Sequence, residues 1–433
     1  MHPMHVDPAI PGESAERGEP TPRRFDAVIV GAGPAGASAA ILLARAGWSV
    51  ALVERQSFPR RKVCGECVAA SNIGLLDALG IGAAFDRLAG AELRRVALMQ
   101  GRDTVLAQLP HGEGPGHRWG RALGREHLDT LLADAAEAAG ATRLQPWSLQ
   151  RIEGSAGAFR LQLREVGSDR DAELQAGLVI AAHGSWEPLP SERGERRDTR
   201  APSDLFAFKA NFSGTSIAPD LLPVLSFAGG YGGMVVADDG LATLACCVRE
   251  DRLQALRAAR PGERAGDVVE AMLRAQCAGV EAALEGAERQ GAWLASGPLR
   301  PGIRLGQGDG IFRIGNAAGE AHPIVGEGIS MALQSAFVLA SVIGPKRDAL
   351  VDGAAATASQ ADALDAYERL WRRRFARRLR VAAIFAHVAM RPALARAAWP
   401  LLQRWPGLLT QGARFSGKTR CAPEAQQLAG ARR

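Results

Sequence analysis

Aromatic side chains make up only 5% of the 433 residues, and there are six cysteines, at 64, 67, 246, 247, 277 and 421. Their spacing is not that of a disulfide framework, which suits a reducing compartment. The stretch from Met1 to Arg24 is rich in Pro, Glu and Gly and has no apolar run. A secretory signal needs a basic start and a continuous apolar core, so cytoplasmic residence is the default expectation. The later apolar stretches fall far short of a bilayer span. Zinc-finger spacing, an aromatic RNP-like strand and a basic arm are all missing, so no nucleic acid is expected as a partner. No repeat or coiled-coil heptad is visible.

What is present is ordinary globular composition, 47% apolar and 23% charged, in a chain long enough for two domains. The formal charge of +6 comes largely from one C-terminal segment, so it describes a local surface.

The segment FDAVIVGAGPAGASAAILLARAGWSVALVE, Phe25 to Glu54, organises the rest. Asp26 to Val30 reads as a buried strand, Ala35 to Ala46 as a helix, and Trp48 to Val53 as a second strand. Between strand and helix, Gly31 makes a tight turn, Gly33 lets the backbone approach a pyrophosphate, and Gly36 lets the helix pack close to the strand. The first-turn N–H groups and the helix dipole face that pyrophosphate. Glu54 falls where an adenosine ribose would be bonded, and its carboxylate would repel a 2′-phosphate. The ligand is therefore FAD or NAD, not NADP.

Further along, Phe58-Pro59 breaks the strand direction and a basic run leads into CGEC, Cys64 to Cys67. Ser71 is a candidate N-cap for a helix through Leu79. Arg94 to Leu109 suits strands, and Arg125 to Ala139 is an amphipathic helix. Ser148 to Val166 reads as a hairpin with a glycine-rich turn, and Gly177 to Ser185 as a buried strand ending in a turn. Ser191 to Arg200 is a charged loop. Phe206 to Asn211, Val224 to Phe227, Gly233 to Ala237 and Ala242 to Val248 look like one antiparallel sheet. Helices follow at Asp251 to Ala259 and Gly266 to Ala283, then a strand at Ile311 to Gly315 and a helix at Ile329 to Ile343. One long helical region, Ala361 to Leu402, ends the ordered part.

The second strong signal is GIFRIGNAAGEAHPIVGEGISMALQSA, Gly310 to Ala336. Asn316 sits at the end of a strand, and a loop with Pro323 and Gly326-Glu327-Gly328 opens the next helix. A helix N-terminus aimed at a flavin would stabilise the charge that forms on its pyrimidine side upon reduction.

These motifs resemble the flavoprotein superfamily of p-hydroxybenzoate hydroxylase-type monooxygenases, geranylgeranyl reductases and flavin-dependent halogenases. FPRRKVCGE at 58 to 66, GGYGGMVV at 229 to 236 and GNAAGEAHPIVGEGI at 315 to 329 are most similar to the geranylgeranyl-reductase-like branch. The resemblance implies FAD. Gly31, Gly33, Gly36 and Glu54 would hold its ADP half, with Pro34, Ala35 and Arg55 beside them. Arg125 would reach the linker, and Gly315, Asn316, Gly326, Glu327, Gly328 and Ile329 the ribityl chain and ring. Two positions depart from the family pattern. Asn316 stands where an Asp is usual, and His183-Gly184 stands where Asp-Gly is usual, which puts efficient use of a nicotinamide in doubt.

Cys64 and Cys67 could be a redox pair beside the flavin, Cys64 could sit in the substrate cavity, or both could be small buried residues shaping the loop. Nothing completes a metal site with them, so no metal is expected. His183 and His322 could donate protons or simply bond backbone. The candidate catalytic residues are Cys64, His322 and Pro323.

The fold implied is α/β: a discontinuous Rossmann-like FAD-binding domain (25–95, 119–190 and 300–348), an inserted antiparallel-sheet substrate domain (96–118 and 191–299), and C-terminal helices (349–433), after a disordered tail (1–24). Arg369 to Arg380 holds seven arginines. It reads either as a helical cap with a solvated face or as an interfacial helix making peripheral membrane contact. The function implied is an FAD-dependent oxidoreductase acting on an apolar, aromatic or isoprenoid-like small molecule, with hydroxylation first and double-bond reduction second. Halogenation and flavin binding without turnover are weaker readings. With a single dinucleotide fingerprint, NAD(P)H would visit transiently as reductant. Oligomeric state is not legible.

Overall fold

The computed structural model describes residues 22–113, 116–185, 189–190, 200–351, 355–415 and 418–430. The expected tail lies almost wholly outside the described residues, as does all but Arg200 of the charged loop from Ser191.

The strand Arg23–Val30 is buried from Phe25 onward, and apolar there at every position but Asp26, because it is central. It pairs in parallel with Val50–Val53 on one side and Asp171–Ala181 on the other, and a strand covered on both faces needs no alternation. Thr142–Leu144 extends this sheet in parallel, Phe312–Arg313 joins Asp171–Ala181, and the hairpin Trp147–Ser155 and Ala158–Glu165 completes it antiparallel. The helix Pro34–Arg45 packs on one face with ten buried residues. A Cβ at Gly36 would stand 1.8 Å from the Gly31 carbonyl oxygen, so the close packing read from the fingerprint is literal.

A second sheet of eight strands contains Leu205–Ser213, Leu221–Phe227, Gly230–Val236 and Ala242–Arg249. It is mixed rather than purely antiparallel, because Leu221–Phe227 pairs in parallel with Arg95–Gln100. That pairing comes from an excursion of the first half of the chain, and a parallel partner demands such a long connection.

Several local expectations are corrected. Ser71 lies inside the helix Ala70–Leu79, whose N-cap is Ala69, and Ser71 instead accepts a bond from Asn72. The helix expected at 266–283 breaks at Cys277, which has extended backbone angles. The C-terminal region is not one helix. Ala356–Ala389 and Pro392–Arg404 meet at 101°, where Pro392 lacks the N–H to continue the ladder and forces Arg391 out of the helical region. Two further helices, Gly407–Phe415 and Pro423–Gly430, follow where order was expected to end.

The helix Ala356–Ala389 ties the two sheets together. Its Tyr367 hydroxyl bonds the Arg313 carbonyl at 2.7 Å beside the first sheet, and its Ala389 carbonyl accepts from Ser226 at 2.8 Å in the second. Its arginine face is not wholly solvated. Arg374 makes a bidentate pair with Glu424, and Arg378 donates to Gln334. One run, Gly328–Val351, is long and apolar enough to cross a membrane, contrary to the expectation from the sequence. Its most apolar window is 72% buried inside the protein, where it serves as a core helix.

Candidate functional site

Two cavities meet at the fingerprint. The smaller, about 510 Å³, lies at the carboxyl ends of Arg23–Val30 and Val50–Val53 and is walled by Gly31, Gly33, Glu54, Arg55, Arg60 and His183. The larger, about 760 Å³, lies between the two sheets. Gly33 and Lys62 border both.

Of the expected cofactor residues, Pro34, Ala35, Arg125, Gly315, Asn316, Gly326, Gly328 and Ile329 wall the larger cavity, and Gly31, Glu54 and Arg55 the smaller. Gly36 and Glu327 do not line either. Gly36 is a packing position. The Glu327 carboxylate is buried and turned away, with no hydrogen-bond partner and the Arg378 guanidinium 3.9 Å off. Burial pushes its carboxyl above the usual range, against the pull of Lys418 and Arg378.

The helices Pro34–Arg45 and Gly328–Ile343 both begin at the larger cavity, and neither has a side-chain cap. Their first-turn amides are thus left for a ligand with negative charge. Arg125 is clamped by bidentate bonds of 2.7 Å to the fully buried Asp129, and its guanidinium lies 3.6 Å from where a Gly33 Cβ would stand. Burial opposes its charge, but Asp129 and Cys64 hold it protonated. Glu54 accepts the Ala32 and Gln56 amides, each at 2.9 Å, which fixes its carboxylate at the crevice.

Lys62 belongs to the basic run before CGEC, where nothing in the sequence singles it out. Its ammonium faces Gly184, and burial, with Arg125 and Arg60 nearby, draws its pKa down to about 8. Asn316 is engaged at the cavity wall: its amide donates to Ser185 at 2.9 Å, and Ser185 donates to Glu320 at 2.8 Å. Glu320, 3% exposed and held by Arg304 at 3.0 Å, keeps a carboxylate beside Asn316. Its signal in the sequence was the lone acid between small residues in GNAAGEAHP.

Cys64 and Cys67 are free thiols on the cavity wall. Burial pushes the Cys67 thiol up to about 12, so it stays protonated and is a poor partner in thiol exchange. Between them, Glu66 has a left-handed backbone, φ 58°, and a side chain 1% exposed. It is gripped by the Lys209 ammonium, the Thr243 hydroxyl and, at 3.1 Å, the Arg125 amide. Non-glycine strain of this kind persists only where surroundings over-determine it.

Pro323 lines the cavity, but His322 stands behind the wall. Its Nδ1 is 3.2 Å from the hydroxyl of Tyr231, a cavity residue, and its ring meets that of exposed His387 edge-on at 5.7 Å. Burial first, and His387 second, draw the His322 pKa down to about 4, so it is neutral at pH 7. His127, Asp238 and Asp239 come within metal-ligand distance of one another, away from this wall. Asp238 is already engaged by the Gly124 amide at 2.5 Å and by His127 at 3.2 Å.

A family model described as FAD binding domain matches residues 24–380. The chain belongs to this FAD-binding family. The cavities fit the cofactor: two uncapped helix ends, a glycine that leaves the backbone bare beside Arg125, and a fixed carboxylate at the adenosine end. A menaquinone reductase of Mycobacterium tuberculosis is 32% identical over 174 residues, 40% of each chain, so the match spans about 40% of that relative's length. A digeranylgeranylglycerophospholipid reductase 2 of Methanopyrus kandleri is 26% identical over 325 residues, 71% of this chain and 74% of the relative. Among solved structures, the myxobacterial chondrochloren halogenase CndH superposes with a TM-score of 0.71 at 17% identity, covering 95% of this flavoprotein and 97% of that chain. At that identity the likeness is one of fold.

Proposed function

We propose that this flavoprotein reduces a double bond or quinone ring in an isoprenoid-type lipid. The observation that carries the reading is an apolar cavity of about 760 Å³ with one phenol in its wall, Tyr231, backed by a histidine that leads to the surface. The reductase names of the two relatives above point the same way.

When bound, FAD supplies a hydride in such chemistry. The protein's part is to hold, orient and protonate. Gly33, Lys62, Arg125 and the two helix ends would bind the anionic portions, and the Glu66–Lys209 pair would fix the loop that carries Cys64 in the cavity wall. Burial keeps the Tyr231 phenol protonated well above its ordinary range. Tyr231 would add the proton that accompanies the hydride. His322 would return a proton to Tyr231 from Nδ1 and take one at Nε2 from the side of His387. One hydride and one proton then add across the bond, and Tyr231 ends as it began.

A buried phenol with a relay to the surface can serve a proton step in either reaction, and we set reduction ahead of hydroxylation on the apolar cavity together with the names of the two reductases. The test is single turnover. Protein reduced by dithionite under argon is mixed with menaquinone or a geranylgeranyl lipid in D2O. Flavin oxidation is expected with either acceptor, and with the geranylgeranyl lipid one deuterium on each carbon of the former double bond, because the N–H that a reduced flavin gives up as hydride exchanges with D2O and the second hydrogen comes through Tyr231. Failure of every acceptor under argon, together with a product carrying oxygen-18 from labelled O2, would establish hydroxylation instead.

A further inference from the structure

Among the described residues, eleven large apolar side chains are exposed, and seven of them stand between positions 384 and 415. Ile384 is 63% exposed, Phe415 57% and Trp405 54%, with Leu394, Leu401 and Leu408 close behind. They occupy the end of Ala356–Ala389 and the two short helices after the 101° bend. Ile384, Leu408 and Phe415 also line the larger cavity, so the patch forms its mouth.

The charge around this patch has one sign. From Arg369 to Pro423 the sequence holds thirteen Lys and Arg and no Asp or Glu. Some of these arginines turn inward, as Arg374 does to Glu424. Those on the helix after the bend do not. Arg396 reaches the Pro392 carbonyl of its own turn and Arg404 lies over the Trp405 ring, while Arg391, at the bend, reaches the His387 carbonyl of the long helix. An apolar ridge with a tryptophan, rimmed by arginines without carboxylate partners among the described residues, is complementary to a surface greasy below and anionic above.

We propose that Pro392–Arg404 and Gly407–Phe415 dock the protein on an anionic lipid bilayer, with the cavity mouth facing the acyl region. This moves the contact away from the arginine-rich stretch of the long helix, where the sequence had put it, to the helices beyond the bend. That the docking serves to collect an isoprenoid substrate rests on the reading above. The docking itself is measured without turnover, so the two fail separately.

The experiment is flotation of the full-length FAD-loaded protein with vesicles of phosphatidylcholine alone or mixed with phosphatidylglycerol. Binding to the mixed vesicles that weakens with salt is expected, with little binding to phosphatidylcholine. Arg396→Gln and Arg404→Gln should each lower the partition roughly fivefold, as about 1 kcal/mol per cation at an anionic surface implies. Leu401→Ser with Trp405→Ser, neither of which lines the cavity, should lower it about tenfold or more. Bound flavin absorbance and circular dichroism confirm that the variants are folded. Absence of salt-sensitive binding, or binding unchanged in the Leu401/Trp405 variant, overturns the proposal. A dimer in sedimentation that the same variant splits would overturn it too, by assigning the patch to a second copy of the chain.

Discussion

Lys209→Met is the most informative single change, because it breaks a charge pair that joins the two halves of the site. Lys209 is fully buried in the strand Leu205–Ser213, and its partner Glu66 is 1% exposed. Without the ammonium, the carboxylate has the Thr243 hydroxyl and the Arg125 amide but no countercharge. Removing one partner of a buried pair costs about 3–5 kcal/mol. The loss should also depend on pH. Burial already raises the Glu66 carboxyl, and Lys209 is the main influence opposing it, so in the variant the carboxyl rises further. Below the unfolded value of about 4.3 both states are protonated and the shift costs nothing. Above it the unfolded chain ionises while the folded one does not, and stability falls by about 1.4 kcal/mol per pH unit until the folded value is reached. Urea unfolding at pH 5 and pH 8, followed by circular dichroism and flavin fluorescence, reads both effects. Adding Glu66→Gln should recover most of the loss and flatten the slope, since a neutral amide has no charge to strand. A Lys209→Met variant within about 1 kcal/mol of the parent, with no pH slope, would refute the reasoning.

The fingerprint glycines should separate folding from cofactor binding: Gly36→Ala, whose Cβ falls 1.8 Å from a carbonyl oxygen, destabilises by about 1–3 kcal/mol or more, whereas Gly33→Ala, with its nearest neighbour 3.6 Å away, folds but binds FAD weakly. Thermal unfolding and fluorescence titration with FAD distinguish the two. With a pKa of about 8 in the free protein, Lys62 should be raised by the FAD pyrophosphate, so binding takes up a proton and affinity falls as pH rises past about 8; Lys62→Met should remove that dependence in a titration from pH 7 to pH 9.5. Tyr231→Phe and His322→Gln should lower turnover about 10²–10⁴-fold with the flavin spectrum unchanged. Because neutral His322 is the competent form, parent turnover should fall as pH drops through about 4, and His322→Gln should lose that limb of the profile.

Features carried by one short stretch were legible, and features made by two distant stretches were not. The strand, turn and helix from Phe25 to Glu54 are contiguous, and each glycine acts on a neighbour a few residues away, so spacing alone exposes them. The turn at Gly326 to Gly328 is local in the same way, but the Glu327 side chain is buried outside the cavity lining, with Arg378 of a distant helix 3.9 Å away, and the turn's own residues do not record that. The bend at Arg391 was also written locally, in Arg391-Pro392, and was overrun because apolar residues on both sides keep helical spacing. The parallel pairing of Leu221–Phe227 with Arg95–Gln100 left no mark, since strand pairing partners share no periodicity that names them. Lys209 shows where the limit lies. In LFAFKANFS the alternation puts Ala207, Lys209 and Asn211 on one face, so the sequence does record a polar stripe on a strand. What makes that stripe part of a site is Glu66, 143 residues earlier, and Thr243, which Asn211 bonds at 2.9 Å. A lysine can be buried there only because that carboxylate waits for it, and the fold alone brings them together.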